Sequence, residues 1–312
     1  MTSKNTSIST HDLHCQFGEV HAVDGITFEV QTGTLFGFLG PNGAGKTTTI
    51  RLLLGLLEAS SGSAEVLGFD TRTQADQIRL NCGALLEQTG LYERLSAEEN
   101  LDLFGRIWHI PATERAERIR SLLEKMGLYD RRKEMVNTWS RGMKQKLAVV
   151  RTLVHNPKLV FLDEPTDGLD PVAAASLRDD LVDLARQHGV TVFLTTHNLA
   201  EAEKICDQVA VINKGKLLTV GSPDDLRLQK SEHTLIVVGR GFSEAVLADL
   251  RAMPDVEAVE LQDHHLVVHF KRETDSGNLV QFLAAKGVMI DEVRKGKASL
   301  EEAFLALLEE QA

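Results

Sequence analysis

Two kinds of apolar spacing alternate along the chain. Short unbroken runs bounded by glycine, proline or charge give way to stretches whose apolar side chains recur every three or four positions. The first pattern predicts strands and the second helices, so the alternation points to an α/β fold. Thr34–Leu39, Leu159–Leu162 and Val190–Thr195 are apolar or β-branched runs, the pattern of strands buried on both faces. Lys46–Leu57 carries Ile50, Leu53, Leu54 and Leu57 at helical spacing. Val172–Gln187 predicts another helix, opened by Asp170-Pro171 and closed by His188-Gly189. Asp12–Phe17 and Ile26–Val30 alternate partly and read as short strands ahead of the turn Gln31-Thr32-Gly33. Ala64–Gly68, Gly83–Leu86 and Gln208–Asn213 add three more.

Residues 92–156 change character. Ser96-Ala97-Glu98-Glu99 is a capping box followed by Leu101, Leu103, Phe104 and Ile107. Glu114–Met126 predicts a second helix stopped by Gly127, and Gly142–His155 a third ending before Pro157. A helical block is thus inserted into an α/β sheet, either to contact a partner or merely to cover the sheet. Ser222-Pro223-Asp224-Asp225 starts a short helix. Beyond it the order becomes β-α-β-β-α-β-α, with strands at His233–Val238, Val256–Leu261, His265–Lys271 and Val288–Val293. Helices are predicted at Ser243–Ala252, Gly277–Lys286 and Ser299–Glu309. That order suggests a ferredoxin-like sandwich. Two domains are expected, 1–228 and 229–312, with the helical block at about 92–156 as a subdomain of the first.

The length of 312 residues allows two domains, and 43% hydrophobic with 25% charged residues is ordinary for a globular protein. No apolar run approaches the ~18 residues of a membrane span, and Met1–Thr10 lacks the apolar core of a signal peptide. The chain is therefore expected in the cytoplasm. Cys15, Cys82 and Cys206 are scattered and odd in number, which fits reduced buried thiols better than a metal cluster or disulfide framework. The net charge is −11, of which −7 falls in Ser231–Ala312. That balance argues against nucleic acid or anionic lipid as the main partner.

Gly40-Pro41-Asn42-Gly43-Ala44-Gly45-Lys46-Thr47-Thr48 fits the phosphate-binding loop G-x-x-x-x-G-K-[ST], with a strand before it and a helix after it. Glycines let backbone N–H groups close around phosphate oxygens, and the helix aims its positive end at them. Lys46 supplies charge for the terminal phosphates and Thr47 a hydroxyl for Mg²⁺. A second signal is the strand that ends at Asp163-Glu164-Pro165. In a phosphate-loop fold an Asp there holds Mg²⁺, and Glu164 is placed to act as base for a water attacking the terminal phosphate. His197, just past the strand Val190–Thr195, is within reach of a γ-phosphate or is a surface or capping His. Phe17 stacks on an adenine ring or is a core residue at a strand end. Gln88, past the strand Gly83–Leu86, reaches a metal or is simply solvated. His264-His265 beside Asp263 reads as a polar turn rather than a metal fragment.

Trp139-Ser140-Arg141-Gly142-Met143-Lys144-Gln145-Lys146-Leu147 completes the set. With the Gly40–Thr48 loop, Asp163-Glu164, Gly168-Leu169-Asp170 and His197, the chain over about residues 8–225 resembles an ABC-transporter ATP-binding subunit. The resemblance implies an ATPase that binds two ATP·Mg²⁺ between two copies, or between this chain and a related subunit. It implies a separate integral membrane permease as partner, no nucleic acid, and a peripheral place on the inner face of the cell membrane. It implies that Phe17 stacks on adenine, Gln88 and Asp163 contact Mg²⁺, Glu164 is the base and His197 a switch. Ser140 and Gly142 then bind the γ-phosphate held by the opposite subunit, and Asp170 belongs to a loop crossing the interface. The usual signature L-S-G-G-Q reads here Trp139-Ser140-Arg141-Gly142-Met143, so Arg141 is expected to add charge near the opposing nucleotide. Phe17 replaces the commoner Tyr.

The signature variant and the ending Ser299-Leu300-Glu301-Glu302-Ala303-Phe304 make the chain similar to bacterial drug-resistance and antibiotic-export ATPases. An importer subunit is the nearer rival. A soluble ABC ATPase working on ribosomes or DNA is another, disfavoured by the single loop motif, the lack of a heptad run and the acidic balance. Asn213-Lys214-Gly215-Lys216 lacks the Asp that reads guanine, which disfavours a GTPase. The tail is expected to be a regulatory or dimerising module.

Overall fold

A computed structural model describes residues 6–231, 234–262, 265–271, 276–296 and 300–309. The chain separates into two units, Met1–Gly221 and Ser222–Ala312.

The first unit opens with a long hairpin, β1 (Thr6–Phe17) and β2 (Val20–Gln31), joined by a two-residue turn at Gly18-Glu19. Then come β3 (Leu35–Leu39), α1 (Lys46–Leu53), β4 (Ser61–Val66), β5 (Phe69–Asp70), α2 (Ala75–Asn81) and β6 (Cys82–Leu85). The helical block holds α3 (Ala97–Ile107), α4 (Ala112–Lys125) and α5 (Arg141–Leu153). The unit finishes with β7 (Leu159–Asp163), α6 (Pro171–His188), β8 (Thr191–Thr196), α7 (Leu199–Ile205), β9 (Gln208–Asn213) and β10 (Lys216–Gly221).

Two sheets result. One is the antiparallel set β2-β1-β4-β5. The other runs β10-β9-β3-β8-β7-β6, parallel from β9 to β6 with β10 antiparallel at the edge. Every residue of β3, β7 and β8 is buried, which is why these strands read as unbroken apolar runs. Phe28 of the antiparallel sheet reaches across to Phe36, Phe38 and Phe193 of the parallel one, at ring separations of 5.7, 5.5 and 6.3 Å. This aromatic cluster joins the two layers, and removing one such buried ring costs about 3–5 kcal/mol.

The helical block is held by its caps. Ser96 and Glu99 form the expected capping box on α3. Buried Asn100 ties the incoming loop to α3 by accepting from Tyr92 N–H and donating to the Tyr92 carbonyl. Trp108 at the end of α3 stacks on His155 just past α5, with ring centroids 4.0 Å apart.

The second unit comprises α8 (Pro223–Ser231), β11 (Thr234–Arg240), α9 (Glu244–Arg251), β12 (Val256–Gln262), β13 (His265–Phe270), α10 (Ser276–Ala285), β14 (Met289–Lys295) and α11 (Leu300–Glu309). Its sheet order is β12-β13-β11-β14, antiparallel throughout. That is the topology of a ferredoxin-like sandwich, packed around Leu235, Val237, Leu250, Val268, Phe270 and Leu283. Asp263 and His264 lie outside the described residues; His265 opens β13 on an exposed position. Among the described residues no helix is long and apolar enough to cross a membrane.

Candidate active site

β3, β8 and β7 are neighbours and parallel, so their carboxyl ends face one way and the loops after them converge. The phosphate loop follows β3. Gly40 cannot carry a side chain, because a Cβ there would lie 2.3 Å from the Ile212 carbonyl. Gly45, at φ +108°, would place one 2.3 Å from the Ala22 carbonyl. The same contact sets the tip of the β1–β2 hairpin beside the loop. Phe17, paired with Val20 at that tip, is 51% exposed and free to present its ring face. Pro41, Asn42 and Gly43 are exposed, Ala44 is buried, and Thr47 and Thr48 are half-buried at the start of α1.

Lys46 is buried, and its Nζ donates to the carbonyls of Gly40 at 2.7 Å and Pro41 at 3.1 Å. It also lies 3.0 Å from Glu164 Oε1, an atom closed off from solvent whose counter-charge is this ammonium. Thr47 Oγ1 donates to Asp163 Oδ2 at 2.6 Å. Asp163 Oδ1 takes a short bond from the hydroxyl of Thr195. The Thr195 oxygen in turn accepts from the Glu164 N–H at 3.0 Å, while the Thr195 carbonyl is 3.2 Å from the same N–H. Glu164 itself sits at φ +48°, a left-handed conformation that a non-glycine residue holds only when its surroundings impose it. His197 completes the set: its N–H and its Nδ1 approach Glu164 Oε2 at 3.3 and 3.0 Å. A carboxylate only accepts, so Nδ1 carries the proton of that bond and Nε2 faces elsewhere.

Lys46, Thr47, Asp163, Glu164 and His197 are therefore brought together. Thr195 belongs to the same network, although in the sequence it shows only as a β-branched strand residue. Its signal was its place opposite Asp163 in the β7–β8 register, which the chain order alone does not reveal.

A second group lies where α5 and α6 begin. Ser140 caps α5 by accepting from the Met143 N–H at 3.3 Å. Asp170 caps α6 by accepting from Val172 and Ala173 N–H at 3.0 and 2.9 Å. The two helix starts abut, since a Cβ on Gly142 would lie 2.7 Å from that of Ala173. Two helix N-termini side by side suit an anion. No hydrogen bond joins Ser140, Gly142 or Asp170 to Lys46, Thr47 or Asp163 among the described residues. Arg141 is already engaged within its own chain. Its guanidinium donates to the Asp167 carbonyl at 2.9 Å and lies flat against Gly168, rather than extending as a free charge. Gln88 is exposed, three residues past the end of β6.

Comparison with known proteins agrees with this geometry. Residues 23–167 match the ABC transporter family model. Residues 221–308 match that of the C-terminal domain of DrrA1-3-like ATP-binding proteins. The bacitracin transport ATP-binding protein of Bacillus licheniformis is 33% identical over 304 residues, 97% of this chain and 98% of that one. The daunorubicin resistance ATP-binding protein DrrA3 of Streptomyces coeruleorubidus is 35% identical, over 97% of this chain and 96% of that one. A solved ATP-binding subunit of an ABC transporter superposes with a TM-score of 0.64 at 32% identity, covering 72% of this chain and 93% of that one. The chain belongs to the ABC transporter family, as one of its ATP-binding, ATP-hydrolysing subunits.

Proposed function

We propose that two copies of this chain, or one copy and a related subunit, close around two ATP molecules and drive a separate membrane permease that exports a drug, antibiotic or similar small molecule. The observation that carries the export reading is the DrrA1-3-like C-terminal unit behind the cassette, in a chain that aligns end to end with antibiotic transport and resistance proteins.

In this reading the phosphate-loop N–H groups and Lys46 bind the β- and γ-phosphates. Phe17 stacks on adenine. Thr47 and Asp163 offer a hydroxyl and a carboxylate 2.6 Å apart, hard oxygen donors that suit Mg²⁺, and Gln88 is a third. Bound Mg²⁺ would neutralise phosphate charge. Glu164 accepts the proton of the attacking water, and His197 holds the Glu164 carboxylate in place through Nδ1. Ser140 and Gly142 of one copy face the γ-phosphate bound by the other, with Asp170 beside them at the interface. Closure excludes bulk water from the site. The chain then works peripherally at the inner face of the cell membrane, held there by the permease.

The test is a pull-down of Glu164→Gln with ATP from gently solubilised membranes, read by mass spectrometry. A co-purifying multi-span protein is expected. Recovery of ribosomal proteins instead would overturn the reading.

A further inference from the structure

The loop from Glu164 to Asp170 carries the catalytic carboxylate at one end and the α6 cap at the other. Two of its own backbone bonds shape it, Asp167 N–H to the Glu164 carbonyl at 3.1 Å and Leu169 N–H to the Thr166 carbonyl at 3.2 Å. Packing does not fix it on one side. There it borders a pocket of about 380 Å³, lined also by His197, Arg178 and Glu201.

What spans this side is polar. Thr166 Oγ1 donates to Glu201 Oε2 at 2.6 Å, and the other Glu201 oxygen is ion-paired with Arg178 of α6. Side-chain exposure is 14% for Glu201 and 17% for Arg178, so the pair is largely shielded from water. Glu201 lies on the first turn of α7, and its own N–H is capped by Asn198. His197 immediately precedes that cap. The segment 197–201 thus holds the 164–170 loop twice: His197 at the Glu164 carboxylate, and Glu201 at Thr166 two residues on.

We propose that Glu201 is a positioning residue for ATP hydrolysis, locked by Arg178 and acting through Thr166 to keep the Glu164–Asp170 loop in register with His197. The inference rests on Glu164 being the base. A carboxylate that drifts by an ångström loses its alignment with the attacking water, and such misplacement costs up to about 10²-fold in rate. Binding of ATP, which depends on the phosphate loop, is untouched by the clamp.

The test is steady-state ATPase kinetics with nucleotide affinity and melting midpoint measured alongside. Thr166→Val removes one hydroxyl at constant shape. It is expected to lower kcat about 10- to 100-fold, with KM for ATP and affinity for a non-hydrolysable analogue within about twofold. Thr166→Ser should restore most of the rate. Glu201→Ala leaves Arg178 without its partner and is expected to lower the melting midpoint as well. The paired change Arg178→Met with Glu201→Met keeps the volume apolar and should reproduce the kcat loss in a stably folded protein. Wild-type kcat in Thr166→Val, or a loss that Thr166→Ser fails to restore, would overturn the inference. Glu164→Gln is the control: if it is inactive while Thr166→Val is normal, the clamp alone is wrong. If Glu164→Gln itself turns over normally, the assignment of the base fails instead.

Discussion

Lys46 Nζ and Glu164 Oε1 lie 3.0 Å apart, an ion pair between the buried lysine of the phosphate loop and the half-buried carboxylate past β7. Each is expected to work on a different group, Lys46 on the terminal phosphates and Glu164 on water. The pair is therefore a competitor of the nucleotide for the ammonium. Glu164→Gln removes the charge that holds Lys46 and leaves the amide oxygen where the carboxylate oxygen was. ATP should then bind at least as tightly as in the wild type by calorimetry, while turnover falls about 10²–10⁴-fold. A closed dimer should accumulate with ATP in size-exclusion chromatography.

Lys46→Ala acts in the opposite sense. It removes the phosphate contact and strands Glu164 Oε1, a buried oxygen, without its counter-charge. ATP binding should be lost in the same calorimetric experiment. Unchanged affinity would show that the loop does not hold the terminal phosphates through this side chain.

Thr195 is the residue on which Asp163 and Glu164 both depend. Its hydroxyl serves Asp163, and its oxygen receives the Glu164 N–H. Thr195→Val keeps the shape of a fully buried strand residue but takes the hydroxyl from Asp163 Oδ1 and leaves the Glu164 N–H with the Thr195 carbonyl alone. An unsatisfied buried group costs about 1–3 kcal/mol. Both the melting midpoint and kcat should fall. Thr195→Ser should recover both.

Arg141 and Gly168 are expected to behave as a pair. A Cβ on Gly168 would fall 2.2 Å from the Arg141 guanidinium, and Gly168 sits at φ +64°. Gly168→Ala must both strain the backbone, by about 1–2 kcal/mol, and expel the guanidinium from the Asp167 carbonyl. Arg141→Ala alone breaks an exposed bond and should cost under about 1 kcal/mol. In the Arg141→Ala background the second penalty disappears. A double-mutant cycle by urea denaturation should therefore show Gly168→Ala less damaging there than in the wild type. Additive costs would mean that the two residues do not interact.

The sequence made some of this visible and concealed the rest for physical reasons. β3, β7 and β8 stood out because a parallel strand buried on both faces must be apolar throughout, so Asp163-Glu164 at its end could not be filler. The capping box at Ser96 and the cap at Asp170 were legible because they are local. The first hairpin is longer than its alternation predicts. Asp12 at φ +46° and the register shifts on either side of Leu13 break the alternation over which the strand nevertheless continues. α2 and α7, seven residues each, are too short for a helical period to show. β10 is an edge strand whose residues are half-buried or exposed, and it has no long apolar run to announce it. The partners of Arg141 and Thr195 lie 26 and 32 residues away along the chain, and only the meeting of α5 with the loop after β7, and of β7 with β8, brings them together.

The stacked pair Trp108–His155 gives a pH dependence whose sign follows from burial. Desolvation pushes the His155 pKa below its ordinary value, with its hydrogen bond to the Cys82 carbonyl opposing and the nearby Arg118 charge assisting. The unfolded chain, at the ordinary value near 6.5, then binds a proton that the folded chain refuses. Stability is therefore full above the unfolded value and declines as pH falls through it towards the folded one. His155 Nε2 is 3.0 Å from the Cys82 carbonyl, so in the neutral ring Nε2 carries the hydrogen and Nδ1, which has no partner among the described residues, would have to take up the second proton in a dry site. His155→Phe keeps the stack on Trp108 and removes the titration. Melting midpoints measured between pH 7.5 and about 5 should fall less steeply for His155→Phe than for the wild type. Equal slopes for the two proteins would place the acid sensitivity elsewhere than at the seam between α3, α5 and β6.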